Sequence, residues 1–112
     1  MIIGVVGSRT FKNYNLLEQK LSTAPYDITE IISGGAKGAD ALAIRYARKR
    51  GLSWREFLPD HKKYRHPYHH RNRLIAEASD VLIAFWDGSS TGTKYTIGYM
   101  RKLGKPVHIF RF

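Results

Sequence analysis

The sequence predicts an α/β fold: a five-stranded, mainly parallel sheet in the order 3-2-1-4-5, with helices on both faces, forming one domain over residues 1–112. Three observations lead there. Short apolar runs alternate with helical patterns along the whole chain, and the connections are short, as a helix-covered parallel sheet requires. Two of the runs, "IIGVV" at 2–6 and "DVLIAFW" at 80–86, are continuously apolar, which suits strands covered on both faces. Glycine-rich turns follow the first, second and fourth strands, and open sheets of this kind hold ligands beyond the carboxyl ends of their strands, where the strand order reverses.

Taken in order, the first strand is followed by a helix over 14–22, "YNLLEQKLS", with Leu16, Leu17 and Leu21 on one face. "TEIIS" at 29–33 is the second strand. Residues 39–51 form a second helix, with Leu42, Ala43, Tyr46 and Ala47 as its inner stripe. Its basic last turn suits the negative helix end, and Gly51 stops it. "SWREF" at 53–57 is a weaker third strand, and 69–79 a third helix. After the strand at 80–86 come a fourth helix over 92–104 and a last strand, "KPVHIFR", over 105–111.

Composition narrows the class. The chain has 112 residues, enough for one buried core but not two. No run approaches the roughly 20 apolar residues of a membrane span, and "MIIGVVGSRTF" reads as a strand rather than a signal peptide. Cysteine is absent, which excludes disulfides and thiol chemistry. A cytoplasmic setting is expected. Nineteen Lys and Arg against nine Asp and Glu give a net charge of +10. That balance favours anionic partners such as nucleotides and nucleic acids. The histidines at 61, 66, 69 and 70 match no zinc spacing, so no metal and no cofactor are expected.

The loops carry the chemistry. After the first strand stand Gly7, Ser8, Arg9 and Thr10: a glycine for close backbone approach, two hydroxyls, and a guanidinium suited to phosphate. After the second, "GGAKGAD" sets Gly34, Gly35 and Gly38 before a helix whose first amides lack internal partners and attract anions. Lys37 points either at the anion or into solvent. Asp40 either caps the helix or holds a ribose hydroxyl. After the fourth strand, "WDGSSTGT" contributes Asp87, Gly88 and Ser89, then Gly92 and Thr93 at a second helix start. Arg71 and Asn72, near the start of the third helix, are further candidates for ligand contact. Tyr64 and Tyr68 interleave with basic residues, a pattern that suits stacking on single-stranded nucleic acid.

"GSRTF", "ISGGAKGADALAIRYA", "LPDHKKY", "HHRNRLIAEASDVLIAFWDGSSTGT" and "GKPV" follow one another in an order that resembles the SLOG superfamily, and most of all its small YspA/YpsA-related branch. The superfamily includes the Lonely Guy phosphoribohydrolases and the DNA-processing protein A family. The resemblance implies a Rossmann-like sheet that binds a nucleotide or a nucleotide-derived signalling ligand, as a sensor, sequestering protein or carrier. It also implies self-association into a homo-oligomer; the aromatics Tyr95, Tyr99 and Phe112 are candidate interface residues, and core packing accounts for Tyr95 and Tyr99 equally well. The Lonely Guy enzymes carry G-T-x-x-E, whose glutamate assists cleavage of the base–ribose bond. Here the run is "GTKYT", with Thr96 in that place. An N-glycosidic hydrolase is therefore the alternative reading, with Asp40 and Asp87 as its candidate carboxylates. Single-stranded nucleic acid binding is the third.

Overall fold

The computed structural model describes residues 1–112. The elements are β1 (Ile2–Gly7), α1 (Tyr14–Ser22), β2 (Glu30–Ser33), α2 (Ala39–Arg50), β3 (Ser53–Glu56), α3 (Pro67–Ala78), β4 (Val81–Trp86), α4 (Thr91–Lys102) and β5 (Val107–Arg111). The strands form one sheet in the order β3-β2-β1-β4-β5, and all four pairings are parallel. This is the expected topology.

Alternation along the central strands builds a core on each face, because successive side chains point to opposite sides. Val81, Ile83 and Phe85 of β4 join Ile3 and Val5 of β1 against Leu17 and Leu21 of α1 and Ala43 and Ala47 of α2. Leu82 and Ala84, with Val6 and Ile32, meet Ile75 and Ala76 of α3 and Ile97 and Met100 of α4. Helices α1 and α2 thus cover one face, and α3 and α4 the other. Phe11 seals the first core by stacking on Phe85, with ring centroids 4.8 Å apart.

The boundaries depart from expectation where backbone groups have particular partners. The third helix starts at Pro67 rather than 69, because proline has a preset φ and needs no amide bond in the first turn. The fourth strand starts after Asp80, whose carboxylate accepts from the Ile2 amide at 2.8 Å. The fifth starts at Val107, since Lys105 turns back to donate to the carbonyls of Ala76, Glu77 and Ser79, each at 2.9 Å. In α1 the buried face is Tyr14, Leu17 and Leu21. Leu16 packs only partly against that core. In α2, Leu42 is likewise only partly buried, while Ala39, Asp40 and Ile44 complete the inner face. The weak third strand is an edge strand exposed along its length.

Candidate functional site

Beyond the carboxyl end of β1, the loops after β1 and β2 and the first turns of α3 and α4 enclose a crevice of about 410 Å³. It lies beside the boundary between β1 and β4, where the chain reverses its direction of growth across the sheet. Three glycines let the loops meet. A side chain at Gly7 would run into the Phe85 carbonyl and the Ala39 side chain. Gly38, at φ 77°, lies under the backbone of Ser8 and Arg9, so it needs both a left-handed conformation and no Cβ. A Cβ on Gly34 would stand 2.6 Å from Arg71 Nη1 and 2.8 Å from Asp40 Oδ2. Gly34 and Gly38 therefore shape the crevice from behind, without lining it.

Arg71 is the most constrained polar group here. It is only 8% exposed, yet it lines the crevice. Its Nη1 donates to the Gly34 carbonyl at 2.6 Å and its Nε to Asn72 Oδ1 at 2.8 Å. No carboxylate pairs with it directly: the two ion pairs in the molecule are Lys49–Glu18 and Arg55–Glu30. Nη2 has no protein acceptor, and no buried polar side-chain atom is left unsatisfied, so Nη2 faces the crevice. Burial lowers the Arg71 pKa from its ordinary value, with the Asp40 charge opposing that shift.

Asp40 is the only carboxylate on the crevice wall. Its Oδ2 accepts from the Ala36 amide at 3.2 Å. Burial pushes its pKa up to about 6, against the opposing pull of that amide and of Arg71 and Arg9. Across the crevice, the first turn of α4 presents the amides of Thr91, Gly92 and Thr93, which a helix leaves without internal partners. Ser90, the N-cap, makes no side-chain bond to them. Its hydroxyl instead meets that of Thr93 at 3.2 Å.

Of the residues singled out in the sequence, Gly7, Arg9, Asp40, Arg71, Asn72, Gly92 and Thr93 come together on the wall. Ser8, Thr10, Gly34, Gly35, Lys37, Gly38, Asp87, Gly88 and Ser89 lie off it. Ser8 is a tie between loops: its hydroxyl accepts from the Asp87 amide at 3.0 Å. The Asp87 carboxylate accepts from the amides of Ser89 and Ser90 at 2.8 and 2.9 Å. Those bonds hold its pKa below the ordinary carboxylate range and set how the chain enters α4. Gly88 lies under the Arg111 guanidinium. Lys37 and Thr10 are exposed.

The wall also takes in Val6, Ala36, Ile75, Ser90 and Thr91, together with Tyr68, His69 and Thr96, which the sequence brings up in other roles. Ala36, Ser90 and Thr91 belong to the glycine-rich turns themselves. Val6 and Ile75 carry no chemical signal in a sequence. Thr96 donates its hydroxyl to the Gly92 carbonyl at 3.0 Å and brings no charge.

Fold and crevice define a Rossmann-like α/β protein with a crevice at the strand-order reversal, lined by two arginines and one aspartate. Residues 1–64 match the family described as YAcAr: YspA, cpYpsA-related SLOG family, and the chain belongs to that family. It is similar to the Gene 61 protein of Mycobacterium phage D29, 28% identical over 117 residues, covering 92% of this chain and 90% of that protein. Among solved structures it is similar to DNA processing protein A from Streptococcus pneumoniae, with TM-score 0.79, 20% identity and 96% of this chain covered. It is also similar to DNA processing protein A from Helicobacter pylori, solved for its single-stranded DNA binding mode, with TM-score 0.73, 18% identity and 97% covered. At those identities the likeness shows the fold. The chain spans 49% and 64% of those two proteins.

Proposed function

We propose that the crevice binds a nucleotide or nucleotide-derived ligand through its phosphate, and that the protein acts as a sensor, sequestering protein or carrier. One observation carries this reading: a buried, hydrogen-bonded Arg71 whose Nη2 has no protein acceptor lines the same crevice as the amino end of α4, where the N-cap side chain bonds none of the helix amides. A guanidinium held in one orientation and a row of helix amides together match a phosphate, and neither has to be reorganised on binding. Arg9 adds donors on the same wall, and Asn72 ties the two sides together, accepting from Arg71 Nε and donating to the Gly92 carbonyl. Binding without hydrolysis fits the carboxylates. Asp87 is engaged by the amides of Ser89 and Ser90, Thr96 brings no acid, and Asp40 stands alone.

Calorimetry with nucleoside mono-, di- and triphosphates, cyclic nucleotides and ADP-ribose derivatives tests the proposal. At least one is expected to bind below millimolar, and Arg71→Gln is expected to weaken it by about tenfold or more, the usual worth of a charge-assisted hydrogen bond. An empty panel sinks the reading.

A second reading, binding of single-stranded nucleic acid, is supported by the likeness to the Helicobacter pylori protein, which binds single-stranded DNA, and by the +10 charge. It is separated from the first by salt. Affinity for a strand falls steeply as salt rises because counterions are released, whereas a ligand with one phosphate shows a shallow dependence.

A further inference from the structure

We propose that the groove between α3 and α4 is a second nucleotide subsite, and that the ligand is a linear single-stranded oligonucleotide running from the crevice along α4. The proposal rests on the crevice reading above and adds a second subsite, with the path that joins the two.

The groove has a volume of about 620 Å³ and adjoins the crevice, with His69 and Thr91 lining both. Three cations line it, Arg73 from α3 and Lys94 and Lys102 from α4, and no carboxylate does. Lys94 and Lys102 are two turns apart on α4, roughly 12 Å along the axis. One ring from α3 and two from α4 form a near-parallel series beside them. His69 stacks on Tyr95 with centroids 4.2 Å apart and planes at 9°. Tyr95 and Tyr99 follow at 6.4 Å and 19°. The inner faces of His69 and Tyr95 cover each other, and Tyr99 rests partly on the core, so it is the outer edge of the series, with His69 exposed, that is open to a base. Aromatic groups flanked by cations are what a single strand binds without regard to sequence, since every base has a stacking face and every linkage a charge. Gly98 sharpens the point. No atom lies within 4 Å of where its Cβ would stand, so packing does not require glycine, and helix propensity disfavours it. Its bare backbone lets a ligand lie against the helix. A second copy of this chain is a poor occupant, because it would bring like charge to a groove that has only cations.

The test uses the full chain, with thymidine 5′-monophosphate followed by calorimetry, and a labelled tetrathymidylate and a cyclic dinucleotide followed by anisotropy. The tetranucleotide is expected to bind about tenfold or more tighter than the mononucleotide, because its second unit binds intramolecularly. The exposed double variant Lys94→Gln/Lys102→Gln is expected to remove that advantage and to reduce the salt slope for the tetranucleotide by about 1.4. Mononucleotide affinity should not change.

A tetranucleotide that binds no tighter than the mononucleotide overturns the groove subsite and leaves the crevice standing. So does a double variant with wild-type affinity and slope. Loss of cyclic dinucleotide binding alone in the double variant overturns the linear ligand. A dimer in sedimentation that the double variant abolishes, with oligonucleotide binding unaffected, assigns the groove to a second copy. Tetranucleotide binding that depends on the two lysines, with no mononucleotide binding at all, supports the groove and counts against the crevice. If neither ligand binds, both proposals fall.

Discussion

At the residue scale the account turns on Asp40, Arg71 and Gly34. An aspartate in an unfolded chain ionises near 3.9, at about the ordinary value. Burial raises Asp40 to about 6 in the fold. Between those values the folded chain holds a proton that the unfolded chain has already lost. The stability tied to this group is therefore complete below about pH 4, declines as pH rises through about 6, and stays lost above it. The difference is on the order of 3 kcal/mol at most. Asp40→Asn keeps an acceptor for the Ala36 amide and has no proton to lose. Urea unfolding at pH 4.5 and 7.5 is expected to show the wild type losing stability relative to this variant at the higher pH; an equal difference at both values contradicts the assignment. Gly34→Ala would push a methyl group into the space between Arg71 and Asp40. It is expected to cost about 1–3 kcal/mol, as overpacking does, and to weaken ligand binding as Arg71 shifts; unchanged melting and affinity would refute the packing argument. These placements were only half legible in the sequence. That Gly34 and Gly38 belong to a tight strand-to-helix turn could be read from their position after a strand. That they act by making room for Arg71, Asp40 and the Ser8–Arg9 backbone depends on contacts between segments far apart in the chain.

At the element scale, the strand and helix pattern was legible because alternation and apolar runs report directly on burial. Boundaries at Pro67, Asp80 and Lys105 were less so, since each is set by a partner elsewhere. Lys105 shows the point best: a residue read as the start of a strand donates its ammonium to three carbonyls at the C-terminal end of α3, beyond the helix's own cap residue Ser79. Removing it leaves those acceptors with water alone. Lys105→Met is expected to cost about 1–3 kcal/mol, the worth of charged hydrogen bonds. Hydrogen exchange in the last turn of α3 should accelerate beyond the global effect. Uniform exchange changes would contradict a local capping role. The first turn of α4 lines the crevice together with Arg71, and its N-cap side chain bonds none of its amides. The sequence pointed to that turn through its glycines and hydroxyls; which hydroxyls turn inward depends on the bonds Asp87 makes to the loop.

At the scale of the whole molecule, topology gathers four separate segments at one end of the sheet, and the strand order that does so follows from the alternation of elements. No helix is long and apolar enough to cross a membrane. The surplus charge is concentrated in the sequence between Arg45 and Arg73, and Arg9, Arg71 and an open helix end meet at the crevice. Binding there is expected to persist at salt concentrations that abolish diffuse surface association, because a buried pair is screened far less than an exposed one. The central claim is that a phosphate sits between Arg71 and the amino end of α4. The most direct measurement is a backbone-amide NMR titration with whichever nucleotide of the calorimetric panel binds. The account predicts the largest shifts at the amides of Thr91, Gly92 and Thr93 and along Ser8 and Arg9, all lost in Arg71→Gln. Saturable shifts centred elsewhere, with those amides unmoved, would contradict it.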